Sequence, residues 1–342
     1  MRLLSFCKNV LFMVSLMRNK MYLFLLVLLV CLPAAADLPL RPVNTYSIVA
    51  RDSETGELGV AVQSHWFSVG SVVLWAEPGV GAVATQSFVD PAYGPLGLHL
   101  MRSGKDASQA LKALIGVDER ADVRQVGMID AKGGVANFTG DKAIIEYCDF
   151  VGDDFAVQAN LMWKPTVCEA MAAAYESTDG DLGERLMAAL EAGEKEGGDI
   201  RGKQSAALLV VSGDRDLPAW GGRVFDLRVE DHPEPLLELR RLLTVNRAYN
   251  LMNQGVEHMG KGDIEKAIES YGAAEALLPD NHEIFFWHAV TLAGAGRVEQ
   301  ALPLFEKAFA MWPKWRELIA RLPASGLLPN DPELLSAALA AE

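Results

Sequence analysis

Polar side chains near the ends of predicted strands are the candidates for chemistry in this sequence. They are Thr45 and Ser47 in the first strand, Ser64 and His65 at the end of the second, Gln86 at the end of the third, and Asn160. A side-chain amide such as that of Asn160 can donate a hydrogen bond to a developing oxyanion, which is often a large contribution to catalysis. The structural alternative is equally simple, because hydroxyl and amide groups also complete the hydrogen bonding of strand ends.

His65 is the histidine that lies among these candidates. A lone histidine is more often a hydrogen-bonded structural residue than a catalytic base, although its ordinary pKa suits either role. The neighbouring Trp66 and Phe67 either line an apolar pocket or close the core. The sequence leaves both interpretations of this segment open.

Several familiar catalytic and cofactor motifs are absent from the sequence. It contains no GxSxG elbow, no GxxxxGK[ST] phosphate-binding loop, no EF-hand loop, and no CxxC or HExxH pattern. We therefore predict neither a metal nor a cofactor. The formal net charge of −14 also argues against a nucleic-acid partner, because affinity for phosphate backbones depends on Lys and Arg.

Strand-like and helix-like segments follow one another in groups up to about residue 243. Runs rich in β-branched residues and bounded by Gly, Asp or Pro predict strands, and Ala-, Leu-, Met- and Glu-rich stretches at helical spacing predict helices. The predicted strands are Thr45–Arg51, Leu58–Gln63, Gly81–Ser87, Gln125–Ile129, Val135–Thr139, Phe155–Leu161, Ser205–Val211 and Val224–Val229, and the predicted helices are Gly94–Arg102, Ala107–Ile115, Pro165–Tyr175 and Leu182–Lys195. This order favours two stacked sheets covered by helices over a single parallel sheet.

A repeat with a period of 34 residues follows Asp231. Ala267, Tyr271, Ala274 and Pro279 recur as Ala301, Phe305, Ala308 and Pro313, and Gly255 recurs as Ala289. Small residues at helix contacts, an aromatic plug and a terminal proline resemble the tetratricopeptide repeat. Two repeats are fewer than a free-standing array needs, so we expect flanking helices to cap them.

The N-terminal segment has the pattern of a secretory signal peptide. Arg18 and Lys20 precede an apolar run from Met21 to Leu32, and small residues ending at Ala36 follow it. We therefore predict cleavage after Ala36, a periplasmic or secreted protein, and no stable membrane insertion after cleavage. The alternative is an uncleaved anchor, although the run is shorter than the ~20 residues of a spanning helix.

Cleavage would leave two cysteines, Cys148 and Cys168, in the mature chain. An exported protein reaches a compartment that permits disulfides. The two residues either pair or remain buried thiols, and the sequence does not decide between these alternatives.

Six segments between residues 44 and 243 carry a family resemblance: Asn44 to Asp52, Leu58 to Ser64, Gly79 to Ser87, Tyr93 to Pro95, Gln125 to Gly127, and Val157 to Asn160. With these segments the chain resembles a bacterial and archaeal protein family, the domain of unknown function 1028, which is placed among proteins similar to N-terminal nucleophile hydrolases. The resemblance implies an α+β fold, a four-layer αββα sandwich, and amide hydrolysis.

The same resemblance implies that Thr45 is the nucleophile. A threonine at a free chain terminus can use its own α-amino group as the base, since that amine has an ordinary pKa near ~7.7. Cleavage after Ala36 leaves residues 37 to 44 attached, so the mechanism requires a second cut between Asn44 and Thr45.

Two functions are consistent with these observations. The first is an exported amidohydrolase that acts on a small amide or peptide-like substrate. The second is a non-catalytic binding or scaffold protein, with a degenerate hydrolase fold and a repeat unit that binds another protein. The domain order in both cases is a signal peptide at 1–36, a hydrolase-like domain at 44–231 and a helical region at 232–342, with repeats at about 248–281 and 282–315.

Overall fold

A computed structural model describes Val43 and residues 45–144, 146–218 and 220–341. The predicted signal segment and Asn44 lie outside these residues. The strands are β1 (Thr45–Arg51), β2 (Leu58–Ser64), β3 (Leu74–Glu77), β4 (Gly81–Ser87), β5 (Arg124–Asp130), β6 (Val135–Thr139), β7 (Cys148–Gly152), β8 (Phe155–Ala159), β9 (Ser205–Val211) and β10 (Arg223–Val229). The helices are α1 (Gly70–Val73), α2 (Tyr93–Arg102), α3 (Ala107–Ile115), α4 (Val167–Ser177), α5 (Leu182–Lys195), α6 (Pro235–Gly260), α7 (Ile264–Leu277), α8 (His282–Gly294), α9 (Val298–Met311), α10 (Trp315–Ile319), α11 (Leu322–Ser325) and α12 (Pro332–Leu339).

The strands form two antiparallel sheets that face each other. The six-stranded sheet has the order β10-β9-β2-β1-β8-β7, and the four-stranded sheet has the order β3-β4-β5-β6. Strands β1 and β2 pack against β4, and β8 packs against β5. Among the described residues the fold is therefore mixed α+β, as the family resemblance implied, and both sheets are antiparallel.

The alternation of side chains along β1 explains how this strand joins two cores. Tyr46, Ile48 and Ala50 point outward and belong to a core built with α4 and α5. Val49 points inward and belongs to the core between the sheets. Successive side chains of a strand point to opposite faces, so β1, which is buried on both faces, is continuously apolar from Ile48 to Ala50. Helices α2 and α3 cover the outer face of the four-stranded sheet, as α4 and α5 cover that of the six-stranded sheet.

The predicted strands and helices in this part of the chain all occur, with end shifts of up to two residues. Two strands are missing from the prediction, β3 and β7. Strand β3 has only four residues and starts directly after α1, and β7 is an edge strand whose central residues are exposed. Neither has the apolar alternation that marks a half-buried strand, which is why the sequence pattern did not reveal them.

Consecutive helices pack on each other in the C-terminal region. A Cβ atom on Gly255 of α6 would lie 2.7 Å from the ring of Tyr271 in α7, so glycine permits this close approach. The equivalents one repeat later, Ala289 and Phe305, are both fully buried in one cluster. Helix α6 also contacts β9, β10 and α5, which joins the helical region to the six-stranded sheet. No helix within the described residues is both long and apolar enough to span a membrane.

Arginines of α6 bind carboxylates of α5 where these two helices meet. Arg240 forms two hydrogen bonds of 2.7 Å with Glu191 and also binds Glu184, and Arg247 binds Glu184 at 3.0 Å. Partial burial raises the pKa of Glu184, but the hydrogen bonds and charges of the two arginines outweigh it and hold this pKa below its ordinary value. The network therefore favours the ionised carboxylate.

We expect Arg240→Met to lower the free energy of unfolding by about 1 kcal/mol at pH 7, because the pairs are only partly buried. A carboxylate whose pKa is lowered by folding stabilises the fold above its unfolded pKa of ~4.3 and loses this contribution as the pH falls through the folded value. The difference between the variant and the wild type should therefore shrink below about pH 4 in urea unfolding experiments. Arg241→Met is the control, since the salt bridge of Arg241 within the described residues is to Glu238 of its own helix. An equal loss in the control would contradict this assignment.

A disulfide joins Cys148 in β7 to Cys168 in α4, with a Cα–Cα distance of 5.9 Å. The structure thus answers the question that the sequence left open. The bond closes a loop with a sequence separation of 20, for which the chain-entropy model gives about 3 kcal/mol. We expect Cys168→Ser to lose stability of this order in urea unfolding under oxidising conditions. The loss should disappear when both proteins are measured with excess dithiothreitol, and a loss that persists there would assign the effect to packing.

Candidate functional site

Hydroxyl and amide side chains form a row at one end of the six-stranded sheet. Thr45 pairs with Ser64 across β1 and β2, and Ser64 pairs with Ser205 of β9. Asn160 follows β8, and its backbone N–H donates to the Thr45 carbonyl at 3.1 Å. The Thr45 hydroxyl lies 3.0 Å from the Val43 carbonyl oxygen and 3.2 Å from Ser64 Oγ. These side chains face the second sheet and are fully buried.

A layer of amide side chains connects this row to the four-stranded sheet. Gln158 Nε2 donates to Ser47 Oγ at 2.6 Å, and Ser47 Oγ donates to Gln86 Oε1 at 2.6 Å. Gln86 Nε2 and Asn160 Nδ2 both donate to Gln125 Oε1 at 2.8 Å. Gln86 also donates to the carbonyl of Thr45. The structure thus brings Thr45, Ser47, Ser64, Gln86 and Asn160 into one network.

Two glutamines of this layer, Gln125 and Gln158, were not among the sequence candidates. Gln125 Nε2 donates to the Ala159 carbonyl at 3.1 Å and to Thr139 Oγ1 at 3.0 Å, so it ties both sheets together. Gln158 fits because it lies over a glycine: a Cβ atom on Gly127 would lie 2.4 Å from Gln158 Oε1. A glutamine at an inward position of an otherwise apolar strand is the signal that identifies such residues.

Some polar atoms of this region are buried without a partner among the described residues. They include Asn160 Oδ1, Gln158 Oε1 and Ser87 Oγ. Unpaired buried polar atoms are costly, and a catalytic role or a bound water is among the explanations for them. Asn160 donates one of its two amide hydrogens to Gln125, so one hydrogen and the acceptor oxygen remain available.

No ionisable side chain among the described residues hydrogen-bonds to Thr45, Ser47 or Asn160. Tyr46 is next to Thr45 in sequence, but it points outward and donates to Glu194 at 2.8 Å. Burial, together with the Glu194 carboxylate, raises the pKa of Tyr46 well above its ordinary value. Tyr46 is therefore protonated at neutral pH, and the described part of the site offers no side-chain base.

His65 lies outside the network. Its backbone N–H donates to Asp199 Oδ2 at 3.1 Å, and its ring Nδ1 is buried without a partner in the described part of the chain. No hydrogen bond within the described residues connects its ring to Thr45 or Asn160. The structure thus groups the hydroxyl and amide candidates and leaves the histidine on the neighbouring loop.

The chain continues upstream of Thr45 through Val43, which covers the row. Val43 N donates to the Ser87 carbonyl at 2.6 Å, and Ser87 N donates to the Val43 carbonyl at 3.0 Å. Val43 is fully buried. In this form of the chain the nitrogen of Thr45 is an amide, which cannot act as a base.

Strained backbone is concentrated at this end of the sheets. Five non-glycine residues of the described chain have positive φ angles, and four of them lie in the connections or strand ends beside the row: Ser68 (57°), Ser87 (67°), Glu146 (62°) and Leu161 (58°). The fifth, Asp154 (60°), lies in the turn between β7 and β8 at the other end of the sheet. A leucine in this region of φ is a conformational outlier, and such strain persists at functional sites when the surroundings enforce it.

No group of His, Cys, Asp and Glu within the described residues has the arrangement of a metal site. Two facing antiparallel sheets with a buried hydroxyl and amide row, followed by a helical region, define a mixed α+β protein. A family model described as a family of unknown function, DUF1028, matches residues 45–239. The chain therefore belongs to the DUF1028 family.

The solved structures that match this chain include those of two proteins from different bacteria. Protein SPO2555 from Silicibacter pomeroyi, a DUF1028 protein, has 30% sequence identity and a TM-score of 0.53, and the match covers 58% of this chain and 84% of that one. Anbu (ancestral beta-subunit) from Yersinia bercovieri has 12% identity and a TM-score of 0.29, over 58% of this chain and 92% of that one. None of the curated proteins matches.

Proposed function

We propose that the protein is an exported amidohydrolase of the N-terminal nucleophile type, with Thr45 as its nucleophile. In this proposal the two sheets and their helix layers form a four-layer αββα sandwich. The observation that carries the proposal is the environment of Thr45, whose hydroxyl lies in a buried network without an ionisable side chain in the described residues. Since no described side chain at this position can act as a base, we assign that role to the α-amine of Thr45 itself.

The proposed reaction uses groups that the site holds once the chain begins at Thr45. The Thr45 hydroxyl attacks the amide carbonyl, and its proton passes to the α-amine, whose ordinary pKa of ~7.7 suits a base at neutral pH. The remaining hydrogen of Asn160 Nδ2, or backbone N–H groups, stabilises the oxyanion. The proton then passes to the leaving amine, an ester forms on Thr45, and water hydrolyses this ester to regenerate the hydroxyl.

The reaction requires a chain that begins at Thr45. Export and signal cleavage would leave Asp37 as the first residue, so a second cut between Asn44 and Thr45 would then free the amine and release the segment that pairs with Ser87. In this proposal the protein is periplasmic or secreted. Mass spectrometry of the protein from its native compartment tests both cuts, with Asp37 and Thr45 as the expected first residues.

The decisive experiment compares recombinant chains that differ only at the terminus. One form begins at Thr45, a second begins at Asp37, and a third carries a single glycine ahead of Thr45 as a matched control. A panel of N-acyl amino-acid p-nitroanilides serves as substrate. We expect hydrolysis only in the form that begins at Thr45. Equal rates in the glycine form, or no hydrolysis by any form, would refute the proposed mechanism.

The second candidate is a non-catalytic binding protein. It is favoured by the pairing of Val43 with Ser87, which holds the segment upstream of Thr45 against the strand end. While that segment is attached, the Thr45 nitrogen is an amide and cannot act as a base. In this case the helical region, with two tetratricopeptide-like repeats, would bind a protein partner. An apolar groove of about 320 Å³ supports this role; it is lined by Met252, Met259, Tyr271, Trp287 and Val290, among others. The terminus experiment separates the two candidates.

A further inference from the structure

Large apolar side chains are exposed in the loops beside the Thr45 row. Phe67 is 63% exposed, Tyr147 44%, Trp163 62% and Ile200 50%. Single exposed apolar residues are normal on protein surfaces. These residues differ because each lies on a loop that leaves or enters the same end of the six-stranded sheet. We call this set of side chains the apolar rim.

Backbone hydrogen bonds connect the loops of the rim to each other. His65 N binds the Asp199 carboxylate at 3.1 Å, which joins the loop of Phe67 to the loop of Ile200. Trp163 N donates to Gly198 O at 2.9 Å and Ile200 N donates to Leu161 O at 3.2 Å. Met162 N donates to Glu146 O at 3.1 Å, beside Tyr147. The rim is therefore a connected structure and not a set of independent loop tips.

The loops that carry the apolar rim contain strained backbone. Leu161 and Glu146 both have positive φ, although neither is glycine. A Cβ atom on Gly197 would lie 3.1 Å from Trp163 Cβ, so the backbone of this neighbouring loop lies close to Trp163. Backbone strain and exposed apolar surface both raise the free energy of the folded protein, and both are typical of a ligand-binding surface.

Two ion pairs lie between the rim loops. Asp199 binds Arg201 at 2.6 Å, and Lys164 binds Glu196 at 3.2 Å. The charges within these pairs are balanced, and together with the exposed apolar side chains this favours an uncharged, apolar occupant. The underlying row provides hydroxyl and amide groups, which suit a carbonyl or an amide.

We propose that the substrate is an N-acyl amide whose large apolar acyl group, alkyl or aryl, packs on the apolar rim while its carbonyl reaches Thr45. This inference rests on the proposed hydrolase function for the position of the carbonyl. The rim supplies the selectivity: each buried methylene is worth ~0.8 kcal/mol, which corresponds to about a fourfold gain in affinity. A polar or short acyl group does not gain this affinity, because it buries no methylene groups on the rim.

Binding can be measured without turnover in the chain that begins at residue 45 and carries Thr45→Ala. The probes are acetyl-, hexanoyl-, decanoyl- and phenylacetyl-glycinamide, titrated by calorimetry. We expect affinity to rise by up to about fourfold per methylene from acetyl to hexanoyl. A further rise to decanoyl identifies an alkyl site, and preferential binding of phenylacetyl identifies an aryl site.

Variants of the rim locate the bound group. We expect Trp163→Ala to lower the affinity for decanoyl- or phenylacetyl-glycinamide at least tenfold. The affinity for acetyl-glycinamide should not change. Trp220→Ala is the matched control, because Trp220 is 82% exposed and lies in the connection from β9 to β10 at the opposite end of the sheet. Ile200→Ser provides a second rim variant, and circular dichroism checks that each variant is folded.

The outcomes separate this inference from the hydrolase proposal. Hydrolysis of acetyl and long-chain amides at equal efficiency would overturn the inference and leave the hydrolase intact. Binding that depends on acyl length and on Trp163, without hydrolysis by the chain that begins at Thr45, would uphold the apolar site and reject the hydrolase. Affinity independent of acyl length, or an equal effect of Trp220→Ala, would overturn the rim as a binding site.

Discussion

In the chain that begins at Thr45, Thr45→Ala is expected to lower kcat/KM for an amide substrate at least ~10³-fold, because it removes the nucleophile. Thr45→Ser should retain measurable activity, since serine supplies the same hydroxyl and the same α-amine. Progress curves with N-acyl amino-acid p-nitroanilides measure both effects. The hydroxyl contributes two buried contacts, to Val43 O and Ser64 Oγ, so only modest destabilisation is expected in the longer chain.

The hydroxyls of Ser47 and Ser64 are the internal comparison for this result. Ser47 Oγ is held between Gln86 and Gln158, without a base beside it in the described residues. We expect Ser47→Ala to reduce activity through loss of order and not to abolish it. Unchanged hydrolysis in Thr45→Ala would exclude Thr45 and make Ser47 and Ser64 the next nucleophiles to test.

The second large effect is expected for Gln86→Leu, which should lower the free energy of unfolding by about 3–5 kcal/mol. Gln86 donates to Thr45 O, Gln158 O and Gln125 Oε1 and accepts from Ser47. Leucine has a similar size but leaves these buried groups with fewer partners, and partly satisfied buried networks are costly. Urea unfolding of the chain that begins at Asp37 measures the loss.

Gln254→Leu is the control for that measurement. Gln254 is exposed on α6, so the same change of side chain should alter stability by less than about 0.5 kcal/mol. A loss below about 1 kcal/mol in Gln86→Leu would show that leucine packs between the sheets without cost, and the amide layer would then not be a stabilising network.

The sequence predicted the elements well because their pattern is local. The strand Thr45–Arg51 and the helix Leu182–Lys195 coincide with observed elements, since alternation and helical spacing are properties of one segment. The family resemblance to DUF1028 was likewise confirmed by the family model. The tetratricopeptide-like repeats remain a prediction, as do the signal peptide and the protein's location.

The candidate site was predictable only in part, because it depends on contacts between the two sheets. Thr45 and Ser64 were both candidates, but their contact follows from strand register, which the sequence does not specify. Gln125 and Gln63 show why the sequence does not reveal these contacts, since both are fully buried glutamines in strands. Gln125 hydrogen-bonds within the amide layer, whereas neither polar side-chain atom of Gln63 has a partner in the described residues. One residue of register decides which face a side chain occupies.

The disulfide has a consequence for local fluctuations. Cys148 and Cys168 fasten both ends of the stretch that carries Asn160, Leu161 and Trp163. A stretch tied at both ends has fewer open conformations, so its backbone amides should exchange with solvent more slowly than those of an untied loop. Reduction releases these ends and lets the stretch open while the sheets stay folded. The order of the candidate site is thereby coupled to the redox state of the surrounding medium, and a chain kept under reducing conditions would have folded sheets with a loosened site.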